Sequence, residues 1–259
     1  MTEEVLFTSD GPVSVVTFNR PEARNAMTWA MYDALAEVCD TLERDDHARV
    51  LVLRGAGDGF VAGTDIRQFT AFRSGHDGIA YERRMEAVID RFERLPVATI
   101  AQIHGPAVGA GCVIALTCDL RVCTPAAKFG VPVARTLGNC LSSANHARLV
   151  DLIGPARTRD LMLTGRLMDA AEAERIGLVA RLADPADIDA AVAELARAIA
   201  ANSPVTIRIT KESMRRVALR RRPPAGEDDD LIASCYASSD FHEGVAAFIE
   251  KRRPRWSGR

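Results

Sequence analysis

Short apolar runs alternate with longer stretches of helical spacing through the first half of the chain. Val13, Ser14, Val15, Val16, Thr17 and Phe18 form a β-rich run that ends at Asn19-Arg20-Pro21. Residues 27–42 carry apolar side chains at Met27, Met31, Leu35, Val38 and Leu42, the spacing of one helix face, with Thr28 placed to cap the first turn. Val50-Leu51-Val52-Leu53, bounded by Gly55, is apolar at every position, as a parallel strand covered on both faces is. A polar helix over residues 78–94 stops before Pro96, and residues 97–103 give a second buried strand. That strand runs into the glycine-rich segment 105–111 and a short apolar helix over residues 112–117, followed by short strands at residues 120–123 and 128–129.

Beyond about residue 140 the pattern changes to helices alone, at residues 149–153, 155–163, 170–176, 185–201 and 204–219. Arg220-Arg221-Arg222-Pro223-Pro224 and the acidic run after Gly226 break the chain before a last helical stretch. No internal repeat recurs at a fixed period.

Composition narrows the class without touching the chemistry. The chain has 259 residues, 47% hydrophobic and 26% charged, which excludes a disordered, collagenous or coiled-coil protein. A formal net charge of -2 provides no global basic field for nucleic acid or an anionic membrane. The longest apolar runs, such as residues 107–116, fall far short of the ~20 residues that span a bilayer. The acidic N-terminus has no basic-then-apolar signal pattern, and six scattered cysteines suit a reducing compartment, so a cytoplasmic location is expected. With neither CxxC nor a His/Cys cluster at ligand spacing, no metal site is expected.

Several catalytic templates are missing: there is no G-x-S-x-G, no phosphate-binding G-x-x-x-x-G-K-[ST], and no complete dinucleotide fingerprint after Gly55-Ala56-Gly57. Two strand-to-glycine-loop-to-helix junctions remain, Phe60-Val61-Ala62-Gly63-Thr64-Asp65-Ile66 and Gly105-Pro106-Ala107-Val108-Gly109-Ala110-Gly111-Cys112. Small residues there let a ligand approach bare backbone, and a helix start offers free N–H groups. Facing each other, the junctions would place two donors around one developing oxyanion; taken singly, each is equally a tight turn.

Together with NRP-EARNAM, FGVP, TGRLMDAAEAERIGLV and the ending EGVAAFIEKRRPRW, these segments resemble the crotonase (enoyl-CoA hydratase/isomerase) superfamily from about residue 13 to residue 256. The resemblance implies an α/β fold, a spiral of ββα units over residues 1–195, followed by a helical C-terminal trimerisation region over residues 196–259. It implies an acyl-CoA thioester substrate, no cofactor beyond the CoA of that substrate, and a homotrimer or hexamer. Carried over by position, the oxyanion donors are the backbone N–H groups of Thr64 and Ala110, next to Ala62 and Gly109. Asp65, Ile66 and Arg67 fall on the pantetheine path, Glu22, Ala23 and Arg24 on the CoA-adenine loop, and Lys251 near the CoA phosphates, with Arg252 and Arg253 beside it.

This chain departs from the family where the hydratases carry glutamates. Those positions hold Val113 and Val133, and valine can neither activate water nor protonate an α-carbon. Ordinary hydration is therefore not expected, and the base is left unassigned. In the loop Leu137-Gly138-Asn139-Cys140, Cys140 stands where the aromatic-CoA dehalogenases of the superfamily have a nucleophilic Asp. A helix capped by Ser142 would lower the thiol's pKa and make a covalent hydrolase or dehalogenase-like route the alternative. The favoured reading of Cys140 is a small apolar wall residue, as free cysteines often are. His104, His146, Asp119 and Glu243 read as structural. A weakly catalytic CoA- or RNA-binding relative is the remaining alternative, with Arg215-Arg216 and Arg220-Arg221-Arg222 as its basic face.

Overall fold

The computed structural model describes residues 2–259. Its first strand pair is a hairpin: β1 (Val5–Asp10) turns at Gly11-Pro12 into β2 (Val13–Phe18) and pairs with it antiparallel. The sequence pattern did not reveal β1, whose exposed outer half, Thr8-Ser9-Asp10, dilutes its apolar signal. Thr28 does cap α1 (Trp29–Glu43), accepting from the Met31 amide at 3.2 Å. β3 (Val50–Gly55) joins β2 in parallel, and α2 (Gly75–Glu93) follows. This helix starts three residues earlier than its polar stretch suggests, because Ser74 and Asp77 form a capping box ahead of it.

β4 (Ala98–Ile103) pairs with β3 and leads into β5 (Pro106–Val108), then α3 (Ala110–Thr117). β6 (Leu120–Cys123) returns beside β4, and β7 (Lys128–Gly130) pairs with β5, followed by α4 (Val133–Thr136). α5 (Ser143–Thr164) is capped by Ser142 and broken at Gly154, whose φ of 78° separates the two helices expected there. β8 (Met168–Asp169), α6 (Ala170–Arg175) and β9 (Arg181–Leu182) complete the sheets. α7 (Ile188–Ala200), α8 (Pro204–Leu219), α9 (Asp229–Tyr236) and α10 (Ser239–Ile249) end the chain.

Two layers of strands result. The larger sheet runs β1-β2-β3-β4-β6-β9, parallel after the first pair, and the smaller runs β5-β7-β8. Each turn of the chain lays one strand in the large sheet, one in the small layer, and then a helix. The Val61 bridge to Ala107 is the small layer's share of the turn after β3. Strands β3 and β4 are buried on both sides because both faces are covered. Tyr32, Leu35 and Val38 of α1 join the core on one side, while Ile188, Val192 and Ala196 of α7 pack on Val50, Val52 and Ile100 on the other. Burying each such large side chain contributes ~1.5–3 kcal/mol. The expected division at residue 195 falls inside α7, which belongs to this packing. No helix of the described residues is long and apolar enough to cross a membrane.

Candidate active site

The small layer sets the site. Val61, β5 and β7 are adjacent parallel segments, so the loops that leave their C-terminal ends lie side by side. The first carries Gly63 and Thr64, the second Gly109 and Ala110, the third Val131 and Val133. Glycine is required where they touch. A Cβ on Gly111 would lie 2.0 Å from the carbonyl oxygen of Val61, and Gly63 and Gly109 hold φ values of 102° and 58°. Ala110 opens α3, and neither its N–H nor that of Thr64 meets a backbone or side-chain acceptor among the described residues.

A cavity of about 740 Å³ opens at this junction. Glu22, Ala23, Arg24, Ala62, Thr64, Asp65, Ile66, Arg67, Gly109, Ala110, Val113, Val133, Cys140 and Lys251 all border it, whereas Arg252, expected beside Lys251, pairs with Glu243 and Glu250 instead and, like Arg253, does not line it. Glu22 and Arg24 are exposed, and Arg24 takes a left-handed φ of 52° in a turn braced by buried Asn25. Asn25 donates to the carbonyls of Ala56 (2.9 Å) and Gly59 (3.2 Å) and accepts from the Arg20 amide (2.9 Å). Asp65 is held by Arg67 (2.9 Å) and Arg20 (3.2 Å), which keep its carboxyl below the ordinary range. Its side chain therefore braces the loop. The Thr64 hydroxyl lies between two phenols, Tyr32 at 2.7 Å and Tyr81 at 2.9 Å, tying the loop to α1 and α2.

The residue that sequence reasoning missed is Glu82. It projects from α2 into the cavity wall, is 5% exposed, and accepts a hydrogen bond from the Tyr236 hydroxyl at 2.8 Å. Burial pushes its carboxyl up to about 7, against the lowering effect of hydrogen bonds from Tyr236 and the Ser142 amide; nearby Asp228 and Glu86 push the same way as burial. A signal was available in the pattern. Gly75, Gly78, Glu82, Met85, Ile89 and Phe92 recur at three- and four-residue steps, so Glu82 interrupts the buried stripe of α2. The flanking Arg83, Arg84 and Glu86 disguise it as one more surface charge.

Cys140 also faces the cavity, but its thiol moves opposite to the expectation from a helix N-terminus. The neighbouring Cys235 thiol, burial and the nearby Glu82 all raise it, which keeps the sulfur protonated. Neither histidine lines the cavity: His146 Nδ1 bonds the Ser142 carbonyl at 3.1 Å, and His104 lies beside Gln102. Asp119 is tied to Thr99 and Lys211, and Glu243 to Arg252. In the arginine clusters Arg215 and Arg216 share Glu212, Arg221 pairs with Asp151, and Arg222 pairs with Glu93.

The Enoyl-CoA hydratase/isomerase family model matches residues 8–259. The chain belongs to that family. It is 34% identical over 259 residues to a probable enoyl-CoA hydratase of Mycobacterium tuberculosis, with 99% of each chain covered. It is 32% identical to the short-chain-enoyl-CoA hydratase of Clostridium acetobutylicum, covering 96% of this chain and 95% of that one. Among solved structures, an enoyl-CoA hydratase/carnithine racemase of Magnetospirillum magneticum superposes with a TM-score of 0.81 at 33% identity, covering 100% of this chain and 97% of the other. A methylmalonyl-CoA decarboxylase shares the fold, with a TM-score of 0.90 at 22% identity and full coverage of both chains.

Proposed function

We propose that this member of the enoyl-CoA hydratase/isomerase family binds an acyl-CoA thioester and shifts a proton on its acyl chain, with Glu82 as the acid–base group. The observation that carries the reading is a buried carboxyl group in the cavity wall whose ionisation falls near neutral pH. The other acidic residues bordering the cavity are committed elsewhere, Glu22 at the exposed rim and Asp65 in its arginine pairs.

The step follows from these parts. Glu82 takes the proton from Cα, the Cα–H electron pair moves onto the thioester oxygen, and the backbone N–H groups of Thr64 and Ala110 stabilise that enolate. Glu82, now neutral, returns the proton at Cγ of a 3-enoyl chain, and the double bond moves to Cα–Cβ. Atoms and charge balance with no added reactant. A group with a pKa near 7 takes and gives the proton with similar ease. Val113 and Val133 border the same cavity and supply no second acid or base for water, which supports isomerisation over hydration. Arg24, Arg67 and Lys251 at the cavity edge bring positive charge suited to the phosphates of CoA. Exposed Val205, Ile209, Met214 and Val217 on α8 support burial in a homotrimer or hexamer.

The test is a panel of CoA thioesters (3-enoyl, 2-enoyl, 3-hydroxyacyl, aryl and β-keto) with mass-spectrometric and chromatographic product detection. Positional isomerisation of 3-enoyl-CoA is expected, with crotonyl-CoA hydration slower by ~10²–10⁴-fold. Hydration as fast as isomerisation contradicts the reading.

A further inference from the structure

We propose that Tyr236 is the positioning residue for Glu82, directing the carboxylate toward the acyl group through a single hydrogen bond. The inference rests on Glu82 being the base. Tyr236 ends α9 and is wholly buried, its ring packed against Phe241 with centroids 4.8 Å apart and against Phe72 at 6.0 Å. Its hydroxyl donates to Glu82 Oε1 at 2.8 Å, and it accepts from Asn139 Nδ2 at 3.4 Å. An ionised carboxylate is acceptor-only, so the direction of the first bond is fixed. A carboxylate has about four acceptor sites. The phenol takes one of them on a carboxylate that borders the cavity.

The backbone of α2 is built for this contact. A Cβ on Gly78 would lie 2.3 Å from Cγ of Tyr236, and one on Gly75 would lie 2.4 Å from the Ala233 carbonyl oxygen. Glycine in a helix is destabilising relative to alanine. Here the two glycines, one and two turns before Glu82, let α9 lie directly against α2. Asn139, in the loop that also carries Cys140, donates to the same phenol.

The titratable groups facing Glu82 are Tyr81 and Glu86 from α2, Tyr32 from α1, Asp228 and Cys235 from α9 and its start, and Cys140 from the loop. The tyrosines and Cys140 are raised and stay protonated near neutral pH. Cys235 is drawn down by Cys140, so Cys235→Ser serves as the control that its titration is not the one observed.

The experiment follows solvent-deuterium exchange at Cα of a saturated acyl-CoA from pH 5 to 9. A hydrogen bond donated to the ionised carboxylate stabilises its charged form, so its loss raises the acid's pKa. For Tyr236→Phe the low-pH limb of kcat/KM is therefore expected to move up by about one unit. Exchange then falls about tenfold at pH 6, recovers by pH 9, and leaves KM nearly unchanged. Gly78→Ala, which displaces the phenol, moves the limb the same way. Cys235→Ser leaves it in place. If Tyr236→Phe does not fold, Asn139→Leu at the half-buried cavity wall is read instead, with a smaller upward move. A uniform loss at every pH, or a limb that stays put in a folded variant, overturns the positioning role. Wild-type exchange in Glu82→Gln would instead overturn the base itself, so the two failures are distinct.

Discussion

A Cβ on Gly109 would sit 3.4 Å from the Cα of Gly63, so the loops that carry the Thr64 and Ala110 amides pass in backbone contact. Parallel pairing of the Val61 segment with β5 makes this approach unavoidable, and glycine alone leaves room for it. Ala110 is the first residue of α3, where proline is tolerated. Ala110→Pro deletes one donor while keeping the helix. We expect kcat to fall by ~10²–10³ with native circular dichroism. Full activity in the folded variant would show that Ala110 is not a donor.

Thr64→Ala keeps the backbone amide but removes the hydroxyl shared by Tyr32 and Tyr81. Tyr32 is 0% exposed and its hydroxyl is left with no partner. A stability loss of ~1–3 kcal/mol is expected in urea denaturation, well beyond the effect on the oxyanion donor. An unchanged midpoint would mean that another group or water takes over the phenol.

Glu82 leaves a signature in stability as well as in rate. Its folded-state value of about 7 lies above the ordinary 4.5. Below pH 4.5 both folded and unfolded states hold the proton and nothing is lost. Between pH 4.5 and 7 the unfolded chain releases its proton first, so stability falls as pH rises, by about 3 kcal/mol in total. Glu82→Gln removes that slope, and its advantage over the wild type should grow across this window and level off above it. Glu93 acts in the opposite sense. Hydrogen bonds and charge from Arg222 and Arg148 outweigh its burial and hold it at about 2, so its stabilisation is lost as pH falls below 4.5. A constant difference between Glu82→Gln and wild type from pH 4 to 8 would contradict the raised value.

Cys140→Ala should retain turnover within about threefold, because a raised thiol is a poor nucleophile at neutral pH. Near-complete loss, together with an acyl adduct trapped on the wild-type sulfur, would restore the covalent route.

The strands β2, β3 and β4, helix α1 and both glycine junctions were legible because burial on two faces and small residues at turns leave a local trace. β1 was not, since its outer half faces solvent. The junction residues Thr64, Asp65 and Ala110 are visible in local motifs of small residues, and all three border the cavity. Glu82 could not be found that way. Its role depends on α9 arriving more than 150 positions later to supply Tyr236, a relation between distant segments. Locally, Glu82 differs from Glu86 only in falling on the buried stripe.

The most direct measurement is deuterium uptake at Cα of an acyl-CoA in D₂O at pH 7.5, comparing wild type with Glu82→Gln at equal CoA-thioester occupancy. The account predicts exchange by the wild type and a fall of ~10²–10⁴-fold in Glu82→Gln, with thioester binding preserved. Exchange at the wild-type rate in Glu82→Gln would contradict it, because the proton would then be moving through some other group.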